Sequence, residues 1–107
     1  MGQAFLDRLG RGPLLCDGAM GTQLYARAPR RAAFDASFEA FNLTRPELVS
    51  DIHRAYLAAG AEMLETNTFG ANRFKLTEHN LAQQAQEINL RGAQLARQAV
   101  QAAGRTA

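Results

Sequence analysis

The sequence predicts an α/β domain with a parallel sheet, and three observations carry that expectation. Leu14-Leu-Cys16 is an unalternating apolar run leading into Asp17-Gly-Ala-Met-Gly-Thr22, as suits a strand buried on both faces. Ile52, Ala55, Tyr56 and Ala59 recur at helical spacing, Gly60 supplies a stop, and Ala61-Glu-Met-Leu64 then rises as a second strand. Strand and helix signals therefore alternate, and alternation of this kind implies parallel pairing.

The elements follow in order. Ala4 to Leu9 reads as a short amphipathic helix with Phe5, Leu6 and Leu9 on one side, ended by Gly10, Gly12 and Pro13. Strand one follows, and Gly18 and Gly21 permit tight backbone geometry after it. Gln23 to Asn42 shows no clean period, although Phe34, Phe38 and Phe41 require apolar contacts; ordered loops of this length are often lids or binding loops. Thr44 and Glu47 form a capping-box pattern with Pro46 in the first turn, predicting a helix over 45–59. After strand two, Phe74 and Leu76 fit a brief helical turn. From about Leu81, the pattern Ile88, Leu95, Ala96, Ala99 and Ala103 describes a second long helix stopped by Gly104.

Composition narrows the function classes. A chain of 107 residues with 47% hydrophobic and 21% charged side chains is ordinary for one soluble globular domain. Its net charge of +2 is small, and the local basic run Arg27, Arg30 and Arg31 is interrupted by Ala28 and Pro29 and lacks interleaved aromatics, so it reads as a solvated loop and not a nucleic-acid surface. No apolar run approaches the roughly 18 residues of a membrane span, and Asp7 and Arg8 stand where a secretory leader would be apolar; a cytoplasmic protein is expected. The single cysteine, Cys16, can form no internal disulfide and no zinc site alone, which agrees with a reducing compartment. Its place in an apolar run favours core packing over nucleophilic use. His53 and His79 lack the paired spacing of metal ligands and read as packing or surface residues.

The chemistry concentrates where the two strands end. Glu65-Thr-Asn-Thr68 is a row of hydrogen-bonding side chains at the carboxyl end of strand two, where ligands of parallel sheets collect. Asp17 and the Gly18 amide occupy the matching end of strand one. A carboxylate there binds an ammonium, while an amide and a hydroxyl take a carboxylate, so the combination suits an α-amino acid. Asp17 can also serve as a turn residue bonding its own backbone, and Phe69 as either a pocket wall or a core aromatic. Glu65, one position inward, can tie down the rim. Gly-Ala-Met-Gly matches neither dinucleotide nor P-loop fingerprints, which argues against phosphate.

Four segments in fixed order, Asp17-Gly-Ala-Met-Gly-Thr22, Phe41-Asn-Leu-Thr-Arg-Pro-Glu47, His53-Arg-Ala-Tyr-Leu-Ala-Ala-Gly-Ala61 and Glu65-Thr-Asn-Thr-Phe-Gly-Ala-Asn72, resemble the homocysteine-binding domain of the homocysteine S-methyltransferase family from about Leu14 onward. The resemblance implies a (β/α)8 TIM barrel in which zinc, held by three cysteine thiolates from later strands, activates the homocysteine thiol for methylation to methionine. It implies that Asp17 and Gly18 contact the amino acid head and that Thr66, Asn67 and Phe69 contribute further substrate contacts. A barrel takes about 250 residues, so residues 1–107 are expected to form its amino-terminal portion, about two βα units of a partial homocysteine-binding domain. The zinc ligands fall outside this sequence, and Cys16 substitutes for none of them. The expected partners are homocysteine, a methyl donor and the remainder of the barrel. The alternative expectation is a non-catalytic truncated fragment lacking the zinc cysteines.

Overall fold

The structure, a computed structural model, describes residues 2–28 and 37–104; Phe34, Arg30 and Arg31, whose roles the sequence raised, lie outside them. The described residues form helices α1 (Gly2–Leu9), α2 (Gly21–Arg27), α3 (Phe41–Thr44), α4 (Pro46–Ala58), α5 (Arg73–Thr77) and α6 (Ala85–Ala102), with a 3-10 turn at Ala82–Gln84 before α6. None of these helices is long and apolar enough to cross a membrane.

The fold is mostly helical, and no strand forms among the described residues, which corrects the expectation of two strands. The two segments do run parallel, but they meet at one bridge, between Cys16 and Met63. Leu15 O accepts from the Glu62 and Met63 amides at 2.7 and 3.1 Å, and Asp17 N donates to Met63 O at 2.9 Å. The physical reason for the shortfall lies at Leu15. Its amide donates to the Glu62 carboxylate at 3.0 Å, so a side chain occupies the position that a neighbouring strand would hold. Arg8 of α1 closes on the same carboxylate at 2.9 Å and on Pro13 O at 3.0 Å, tying α1 beneath the bridge. The first segment is not covered on both faces, since Leu15 is 56% exposed.

Helix α4 occupies most of the span expected for it, but its beginning differs. Its N-cap is Arg45, with no side-chain cap, because Thr44 closes α3 and returns its hydroxyl to Ala40 O at 3.2 Å. The buried stripe of α4 is Val49, Ile52, His53 and Leu57, with Tyr56 half-buried and Ala55 and Ala59 exposed. Gly60 then reverses the chain at φ +112°, a left-handed geometry that favours glycine. The stretch from Gln23 to Asn42, read as aperiodic, is helical at both ends, since α2 runs to Arg27 and α3 begins at Phe41. Leu24 from α2 and Ala28 just after it, Phe41 from α3, Val49 and Ile52 from α4 and Leu95 from α6 make the main core. Phe38 and Phe41 meet edge to face at 6.2 Å beside it. Helix α6 buries Ile88, Gly92, Leu95, Ala96, Ala99 and Val100, and Ala103 falls outside the helix and is exposed.

Candidate amino-acid site

The Cys16–Met63 bridge delivers two loops to one rim, and an open cleft of about 450 Å³ lies between them. Asp17 and Gly18 from the first loop and Thr66, Asn67 and Phe69 from the second all line it, so the structure gathers every residue the sequence singled out for substrate.

Asp17 is half-buried, and both of its carboxylate oxygens accept from the Glu65 amide, at 3.2 and 3.3 Å. Its partner is therefore across the rim and not two residues along its own chain. Gly18 is placed by a close approach. A Cβ there would stand 3.0 Å from the Tyr56 hydroxyl, which donates to Ala19 O at 2.7 Å and pins the loop to α4. Thr66 is exposed and shares a hydrogen bond with the Thr68 hydroxyl at 2.7 Å. Phe69 is fully exposed, at 100%, so it is no core aromatic and offers the cleft an apolar face open to solvent.

Asn67 differs from its neighbours in being buried. Its amide nitrogen donates to Phe38 O at 2.9 Å and to Asn42 Oδ1 at 3.0 Å, so those donors hold the rim together and do not face a ligand. Cys16 is half-buried at the rim, which corrects the expectation of core packing. Its thiol lies 3.4 Å from Asp17 Oδ1 and 3.6 Å from Glu65 Oε1. Partial burial, and then the two carboxylates, push that thiol above its ordinary pKa, so the thiolate is disfavoured. Cys16, Asp17 and Glu65 bring one ligand atom each within 4.8 Å. This set is one protonated thiol and two carboxylates, unlike the thiolate-rich set that the resemblance implies for zinc.

Glu39 was not anticipated from the sequence. It lines the same cleft from the opposite wall, with Oε1 accepting from Ser37 Oγ at 2.9 Å. Its only sequence signal is a carboxylate set between Phe38 and Phe41 in the aperiodic stretch. Asp17, Glu39 and Glu65 thus give the cleft three carboxylates, and no Lys, Arg or His stands among its described lining residues. Such a surface attracts a cationic group. A second concavity of about 350 Å³, between the carboxyl ends of α4 and α6, is lined by Arg54, Leu57 and three alanines and holds no comparable constellation.

Residues 14–107 match the homocysteine S-methyltransferase family. Over 95 residues the chain is 39% identical to the methionine synthase of Mycobacterium tuberculosis (strain ATCC 25618 / H37Rv) and 38% identical to that of Mycobacterium leprae (strain TN). Each alignment covers 86% of this chain and 8% of the relative, so the chain spans about a twelfth of the length of the curated proteins it matches.

Proposed function

The chain belongs to the homocysteine S-methyltransferase family, and we propose that its cleft binds the amino acid head of homocysteine during methyl transfer to the homocysteine sulfur, which yields methionine. The observation that carries this reading is the Asp17 carboxylate. It is held by the Glu65 amide on a cleft whose described side chains include no cation, beside the Thr66 hydroxyl. Asp17 takes the substrate ammonium as a charge-assisted hydrogen bond. The Gly18 amide and the Thr66 hydroxyl take the substrate carboxylate, and Phe69 flanks the aliphatic part of the chain. Glu39 adds negative potential from the far wall, which favours the ammonium end in that orientation. Asn67 acts on the substrate through the placement of Thr66 and Thr68.

Zinc in this family would serve as a Lewis acid for the thiol. Cys16 is the one cysteine in the sequence, and with Asp17 and Glu65 as its neighbours it gives one sulfur and two carboxylates, which do not fit a three-thiolate site. In this reading the present residues hold the amino acid and the metal donors come from elsewhere.

We further read residues 1–107 as the opening portion of a (β/α)8 barrel. The parallel Cys16–Met63 bridge and the two loops sharing one rim support it, since barrel sites are built from such loops.

Asp17→Asn tests the site. Loss of a charged hydrogen-bonding partner is worth about 1.5–3 kcal/mol. Homocysteine affinity, measured by calorimetry on the natural polypeptide carrying this sequence, is expected to fall at least about tenfold. Unchanged affinity would remove Asp17 from the site.

A further inference from the structure

Resting on that reading, we propose that Asn42 is a positioning residue for the amino-acid site, acting through the Asn67 segment that presents Thr66 and Thr68. Asn42 lies on α3 and is fully buried. Its amide nitrogen donates to Asn67 O at 2.8 Å and to Ile88 O at 3.0 Å, while its Oδ1 accepts from Asn67 Nδ2 at 3.0 Å. The second Asn67 donor bond runs to Phe38 O, on the opposite wall of the cleft. One side chain therefore joins α3, α6 and the substrate rim. The paired amides satisfy each other in a region where an unpaired polar group would be costly.

Gly92 is a second, independent sign that this knot is built to close tolerance. It lies in the interior of α6, where glycine is disfavoured. A Cβ there would stand 2.8 Å from Asn42 Nδ2 and 2.8 Å from Thr68 Cγ2, and 3.4 Å from Asn67 O. The missing side chain lets α6 press against both the clamp and a rim threonine. Thr68 in turn shares its hydroxyl hydrogen bond with Thr66. The Thr66 hydroxyl thus receives its position from the helix layer by way of Asn42, Asn67 and Thr68.

Homocysteine binding by the natural polypeptide carrying this sequence, followed by calorimetry well below the melting temperature, tests the clamp. Wild type is measured first; absence of binding there overturns the functional reading itself and with it this proposal. With wild type binding, Gly92→Ala, which leaves every hydrogen-bonding group in place, is expected to weaken homocysteine at least tenfold and to speed hydrogen exchange of the Thr66 and Thr68 amides. Asn42→Asp, which turns an acceptor toward the Asn67 and Ile88 carbonyls, is expected to do the same. A folded variant of either kind with wild-type affinity overturns the proposal and leaves the functional reading standing, because a merely structural role lowers the melting temperature without changing the affinity of the folded protein. A third measurement needs no variant: the side-chain amide resonance of Asn42 in the wild-type protein is expected to shift as homocysteine saturates the cleft, and an unmoved resonance overturns the proposal.

Discussion

His53 is fully buried on α4, and neither ring nitrogen has a hydrogen-bond partner among the described residues. Burial lowers its pKa, and the charge of Asp17 offsets only part of that effect. The folded state therefore holds a neutral imidazole, whereas the unfolded chain protonates near the ordinary value of about 6.5. Protonation favours unfolding, so this contribution to stability is complete above about pH 6.5 and is lost as the pH falls toward the lowered folded-state value. The urea midpoint is expected to fall between pH 7.5 and 5.5, and His53→Leu is expected to flatten that decline; an equal decline in the variant would assign it to other groups. Sequence reading placed His53 within a helix as a packing or surface residue, and packing is what the fold chose. Its burial was not legible, because the register of α4 against the core is set by Ile52 and Val49 together with contacts from α2 and α6. The rim placement of Asp17 and Thr66 was legible for a different reason: polar residues close behind apolar runs leave the packed layer for its edge, even where the runs meet at a single bridge. Glu39 was not, since nothing local distinguishes its carboxylate from a solvated one.

At the scale of elements, helix ends separate what was readable from what was not. The stops at Gly60 and Gly104 follow from backbone geometry alone, with φ +112° and +71°. The capping box at Thr44 failed because the preceding residues are themselves helical: Thr44 belongs to α3, and its hydroxyl is already bonded within that turn. The working side-chain cap is Asn72, whose Oδ1 accepts from the Lys75 amide at 3.0 Å and starts α5. Helix α5 has five residues, too few to persist without such help, and it sets Leu76 into the small core of Ala71 and Ile88. Asn72→Ala is expected to cost about 1 kcal/mol in equilibrium unfolding. A loss within error of zero would mean that Leu76 burial alone holds the helix.

Over the whole molecule, the described residues leave apolar surface that the fold does not close: Phe69 is 100% exposed, Phe74 90% and Leu15 56%. The chain is elongated, with extents of 44 × 25 × 21 Å and a radius of gyration of 14.5 Å, against about 13 Å for a compact domain of similar length. In the proposed barrel these faces meet further βα units. The natural polypeptide carrying this sequence is accordingly expected to have an intact mass of about 30 kDa or more, since a whole barrel needs about 250 residues. A native mass of 11.6 kDa would instead leave a quarter barrel and exclude catalysis by that polypeptide alone. The sequence by itself determined the family, through four motifs in fixed order, and the two long helices and the rim residues Asp17, Gly18 and Thr66, through periodicity, glycine stops and polar residues behind apolar runs; it missed the helices at Gly21–Arg27 and Phe41–Thr44. Only the tertiary structure decided that the two apolar runs meet at a single bridge, that Asn67 faces inward to Asn42, that Cys16 stays at the rim and that Glu39 completes an anionic cleft. Each of these depends on which distant groups come within hydrogen-bonding range, and contacts between residues 25 to 49 positions apart leave no periodic trace in the chain.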